Sequence, residues 1–104
     1  MAEASAELER VRALVVRVQA ALRSAKGNGH GAAARAQAVA VVDELERDGI
    51  VLRDVERGLV DFPARAPSGR AYWLCWLTDE DELAWWHWPE AGFAGRTPLS
   101  EPPA

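Results

Sequence analysis

The sequence predicts an α+β fold: an N-terminal antiparallel helical hairpin packed on a small C-terminal antiparallel β-sheet of three to four strands. Three observations predict it. Apolar residues recur every three or four positions through the first half, a glycine cluster interrupts them once, and after Gly49 the period drops to two.

The first helix spans roughly residues 3 to 26. Leu8, Val11, Val15, Val18, Leu22 and Ala25 form an a/d stripe, with Arg, Glu and Gln on much of the remaining surface. KGNGHG, residues 26 to 31, ends it, because three glycines in five residues leave nothing to propagate a helix. His30 in that turn reads as a solvated loop residue without a role. The helical spacing resumes from Ala32 to Asp48 through Ala38, Val41, Val42 and Leu45, and Gly49 stands where a helix-terminating glycine belongs. Helix two is poor in large side chains, so the pair needs a sheet or a second copy to bury its stripe.

IVLRDV (50 to 55) and GLVDFPA (58 to 64) are short, β-branched and bounded by Gly and Pro, which predicts two strands of a meander. After the turn ARAPSGR (64 to 70), the segment AYWLCWLTDEDELAWWHW (71 to 88) reads as two more strands around the acidic turn TDEDE. Residues 89 to 104 read as loop and tail, with SEPPA frayed. The whole chain, 1 to 104, is expected to form one domain: hairpin 3 to 48, strands 50 to 88, then the tail.

Twelve Lys plus Arg against sixteen Asp plus Glu give a net charge of −4, which disfavours a nucleic-acid partner because nothing basic is in excess to neutralise phosphates. The single cysteine forms no internal disulfide, and no secretory leader or membrane span is visible. The expectation is a cytoplasmic protein in a reducing compartment, with neither membrane nor nucleic acid as partner.

All five tryptophans, the only cysteine and one of two histidines fall between 71 and 88. Pairing Leu77 with Leu83 sets Cys75 opposite Trp85, Leu74 opposite Trp86 and Trp73 opposite His87. One face then carries Tyr72, Leu74, Trp76, Ala84, Trp86 and Trp88, joined by Val60 and Phe62 if Phe62 lies opposite Tyr72; this face should meet the helices. The other carries Leu59, Asp61, Trp73, Cys75, Leu77, Leu83, Trp85 and His87, with Asp61, Trp73 and His87 in one row and Cys75 one pleat away. Exposed apolar area of this kind marks a binding site or subunit interface.

Every chemical reading of that face has a plain structural rival. Cys75 in an apolar strand reads first as a small buried hydrophobe, and otherwise as a reactive or metal-bound thiolate. Asp61 and His87 are catalytic candidates, since a carboxylate can orient an imidazole base, but the same pair serves equally as a structural hydrogen bond. A divalent transition metal would draw on Asp61, Cys75, His87 and Glu90. The carboxylates of TDEDE lack the glycine and distal Glu of an EF-hand loop and read as a solvated turn.

The run GIVLRDVERGLVDFPA, then YWLCW, then WWHWPEAGFAGRTPL, resembles the bacterial family catalogued as domain of unknown function 2203. The resemblance covers roughly residues 49 to 99. It marks Asp54, Gly58, Asp61, Phe62, Pro63, Leu74, Cys75, Trp76, Trp86, His87, Gly92, Phe93 and Arg96 without assigning them roles. The longer acidic turn departs from the family's glycine-glutamate turn, and the helical opening looks shortened or altered. The resemblance implies a bacterial cytoplasmic protein of unknown activity, and it adds Arg96, which could pair with Asp61 or Glu90 or clamp an anion.

Two functional expectations follow. The first is a non-enzymatic interaction or self-assembly module without cofactor, a homo-oligomer or protein partner in which the hairpin and the face bearing Asp61, Trp73, Cys75, Trp85, His87 and Arg96 are buried. The alternative is a small metal-dependent or acid/base enzyme, or a small-ligand binder, using Asp61, Cys75, His87 and Arg96.

Overall fold

The computed structural model describes the backbone of residues 2–27 and 31–104, and the side chains of 7–23 and 31–104. His30, with residues 28 and 29 of the glycine turn, and the side chain of Ala25 therefore lie outside what is described. Two helices, α1 (Ala2–Gly27) and α2 (Gly31–Arg47), precede five strands, β1 (Val51–Asp54), β2 (Leu59–Arg65), β3 (Ala71–Leu77), β4 (Trp85–His87) and β5 (Thr97–Pro98). The sheet is an antiparallel meander in chain order, β1-β2-β3-β4-β5. The strand count exceeds the expected three to four because Thr97 and Pro98 pair with Trp86 and Trp85. Two residues ending in Pro carry little strand signal, so the fifth strand was not readable from pattern.

The α1 stripe is buried as expected at Leu8, Val11, Val15 and Val18, and Leu14 and Ala21 widen it. Across from it lie Ala38, Val41 and Leu45 of α2, and beneath both helices Val60, Phe62 and Trp76 of the sheet complete the core. Helix α2 stops because Gly49 adopts φ +77°. Its N–H donates to the Glu46 carbonyl while Ile50 N–H donates to Leu45, the crossed pair of a glycine-terminated helix. The same termination places Ile50 beside Leu45 in the core and launches β1 in the next residue.

The β3–β4 register is the expected one: Trp73 opposite His87, Leu74 opposite Trp86, Cys75 opposite Trp85. The β2–β3 register is shifted by two residues, with Phe62 opposite Leu74 instead of Tyr72. An even shift keeps every side chain on its predicted face and changes only its neighbours along that face. Leu83, expected on the opposite face, lies in the connection before β4 and packs against the helical core. The expected frayed end is also corrected: Trp86 Nε1 donates to the Glu101 carbonyl at 2.9 Å, Leu99 N–H donates to Ala84, and Pro103 is buried.

Candidate metal and ligand site

On the sheet face away from the helices, the two-residue shift puts Asp61 directly opposite Cys75, and Trp73 opposite Pro63. The predicted Asp61–Trp73–His87 row is therefore replaced by Asp61–Cys75–Trp85, with His87 on the diagonal. Asp61, Cys75 and His87 are buried, and one donor atom from each lies within 4.8 Å of the other two. They come from three adjacent strands, so the sheet ladder fixes their separation.

His87 is held at both ring nitrogens. Nδ1 lies 2.8 Å from the Trp88 carbonyl and Nε2 lies 3.0 Å from Asp61 Oδ2. A carbonyl only accepts, so Nδ1 carries the hydrogen, and the neutral ring then turns its Nε2 lone pair toward a carboxylate oxygen. Two lone pairs at that distance require a positive centre between them, either a second proton or a metal ion. Asp61 Oδ1 adds a buried oxygen without a hydrogen-bond partner among the described residues. Burial pushes the Cys75 thiol up to about 11, helped by the negative charge of Asp61 and opposed by Arg96.

Arg53 is the residue that pattern reading missed. Its Nε donates to Asp61 Oδ2 at 2.9 Å, and its guanidinium lies 5.0 Å from the Trp73 ring centre. The ladder between β1 and β2 slips between Leu52 and Asp54, so Arg53 occupies a bulge that turns its side chain toward Asp61. The available signal was alternation: Arg53 has the parity of Val51, the partner of Asp61. A cavity of about 290 Å³ opens beside the three donors, lined by Arg53, Leu59, Asp61, Cys75, His87, Pro89, Gly92 and Phe93.

The remaining predicted residues lie elsewhere. Arg96 joins Glu80, its Nη2 3.0 Å from each carboxylate oxygen, and not Asp61 or Glu90. Its guanidinium covers the Trp85 ring at 4.6 Å. Glu90 pairs with Arg70 at the surface and contributes no ligand to the cluster. Trp73 and Trp85 thus carry arginines on their faces rather than forming bare apolar area. The acidic turn is not uniformly solvated either: Glu80 also accepts the Leu77 N–H, and its carbonyl accepts Trp76 Nε1 and Arg12 Nη2.

A model of the family described as an uncharacterized conserved protein (DUF2203) matches residues 1–99. The chain belongs to that family. The match covers the helical hairpin as well as the sheet. No curated protein and no solved structure matches the chain. Of the positions the resemblance marked, Asp61, Cys75, His87, Gly92 and Phe93 line the cavity, Phe62 and Trp76 fill the core, and Arg96 braces the turn.

Proposed function

We propose that this member of the DUF2203 family binds one divalent transition metal at Asp61, Cys75 and His87 and presents it to a small ligand in the adjoining cavity. The observation that carries the reading is the buried cluster: Asp61, Cys75 and His87 each bring one donor atom to within 4.8 Å of the others, with His87 Nε2 3.0 Å from Asp61 Oδ2. Cis ligands of a tetrahedral ion at ordinary bond lengths stand about 3.3–3.8 Å apart, so side-chain adjustments of an ångström or less convert the cluster into a coordination shell. The Trp88 carbonyl on Nδ1 is the outer contact that fixes an imidazole for ligation through Nε2. Asp61 keeps Arg53 as its own outer partner. Three protein donors leave a fourth position open, as catalytic and ligand-binding zinc sites do, whereas structural sites close all four. A donor set of one thiolate, one imidazole and one carboxylate suits zinc or cobalt better than calcium or magnesium.

The geometry favours a metal over metal-free acid/base chemistry. A general base needs a free lone pair facing its substrate, and both His87 nitrogens already face protein acceptors. The single free cysteine is compatible with a reducing, cytoplasmic location. Cobalt(II) titration tests the site: one equivalent should produce thiolate charge-transfer absorption that is absent in Cys75→Ser. Unchanged visible absorption after stoichiometric addition would remove the reading.

A second reading, self-assembly through the hairpin without a cofactor, is supported by Val16 at 49% and Val39 at 59% exposure. Mass measurement in solution decides it, since a monomer at micromolar concentration would rule it out.

A further inference from the structure

The cavity beside the three donors is asymmetric in chemistry. Leu59, Pro89 and Phe93 give it apolar walls, while Arg53 is its one cationic lining residue and Asp61 its one carboxylate. Arg53 spends only Nε on Asp61; its Nη1 and Nη2 have no protein partner among the described residues, and its side chain is 44% exposed. A second guanidinium, Arg57, stacks 4.5 Å over Phe93 at the same wall and has no carboxylate in ion-pair range among the described residues. Arg96 also approaches Phe93, 4.9 Å from its ring centre, but its charge is answered by Glu80.

Charge balance narrows the ligand. A divalent ion would be cancelled by Asp61 and the Cys75 thiolate; Arg57 does not line the cavity, so Arg53 leaves the lining of the loaded site with one positive charge in excess. We propose that this cavity receives a small organic monoanion, a carboxylate with a second oxygen donor on the neighbouring carbon, as in 2-hydroxy and 2-oxo acids. The carboxylate lies in the planar Nη1/Nη2 edge of Arg53, and the second oxygen fills the open metal position. The planar edge matches two carboxylate oxygens, and the neighbouring apolar walls suit a short carbon chain. Inorganic phosphate fits less well: its extra charge and oxygens call for more donors than one guanidinium edge and one metal position supply. At about 290 Å³ the cavity is at the small end for ligand sites, which limits the occupant to a few carbons.

The inference rests on the metal reading, and its test separates the two. Cobalt-loaded protein is titrated with glycolate, acetate and inorganic phosphate while the cobalt d–d spectrum is followed. Glycolate should shift the spectrum at a concentration at least about tenfold below acetate, because only glycolate uses both points of attachment. Arg53→Gln removes the outer partner of Asp61 and should take up cobalt more weakly; compared at saturating cobalt, where one equivalent is bound, it should bind glycolate about tenfold or more weaker than the parent. Arg53→Lys should fall between, keeping charge without the planar edge. Cobalt uptake with no glycolate response, equal glycolate affinity in Arg53→Gln, or phosphate binding tighter than glycolate each overturns this ligand class and leaves the metal site standing. Failure to bind cobalt overturns both.

Discussion

At the residue scale the central fact is a buried carboxylate with competing claims on it. Asp61 Oδ2 meets Arg53 Nε and His87 Nε2 together, while Oδ1 has no partner among the described residues. A buried polar atom without a partner costs free energy, and the proposed metal ion would satisfy it together with the imidazole. Cys75 carries a prediction that needs no metal. Its thiol is raised from 9.0 to about 11, so the folded protein holds a proton that the unfolded chain releases at lower pH. The stabilisation is fully present below pH 9 and is lost as pH rises toward 11. Denaturation of the metal-free protein should show stability falling by about 1–2 kcal/mol across that window. Cys75→Ser should lack that slope. An identical slope in both proteins would place the effect in another group.

Legibility at this scale was uneven, and the reason is geometric. Cys75, Asp61 and His87 were readable because alternation sorts residues by face, and an even error in register leaves the faces unchanged. Arg53 was lost because a bulge sets its direction, and a bulge has no signature in a four-residue strand. Arg96 was visible as a residue but not by its partner, since the partner belongs to a connection whose path no periodicity describes.

At the element scale the 78–84 connection is held by one of its four carboxylates. Glu80 accepts Arg96 and the Leu77 N–H, while its carbonyl takes Trp76 Nε1 and Arg12 Nη2. Arg96 is only 12% exposed along its side chain, so removing Glu80 leaves a largely buried charge unpaired. Glu80→Ala should cost about 2–3 kcal/mol in urea denaturation. Asp81→Ala, in the same turn and exposed, should stay within about 0.5 kcal/mol of the parent. Equal costs for the two would mean the turn acts through bulk charge. Composition alone marked four acids as interchangeable; packing distinguishes one.

At the scale of the whole molecule, the principal extents are 50 × 30 × 23 Å with a radius of gyration of 15.0 Å. A compact chain of this length would have a radius near 13 Å. The excess is accounted for by the hairpin: a 26-residue helix runs about 39 Å, while seven-residue strands span about 23 Å, so the helices overhang the sheet. The helical half was legible because its repeat is long and regular. The closing strand and the end of the chain were not, because their order comes from contacts with Trp86 and Ala84 rather than from local propensity. Trp86 belongs to a cluster with Tyr72 and Trp88, its ring centre 5.7 and 5.0 Å from theirs. Deleting residues 100–104 should therefore cost about 1–3 kcal/mol and shift tryptophan emission to longer wavelength. A truncated protein with unchanged emission and midpoint would return that segment to the frayed state its composition suggests.

The proposed metal centre is tested most directly by native mass spectrometry with elemental analysis on untagged protein, beside Cys75→Ser and His87→Gln. The expected result is one zinc or similar transition metal per chain, lost from both variants while their folded charge-state distributions persist. A protein that purifies without metal, takes up none when zinc is supplied, and is unchanged by either substitution would contradict it.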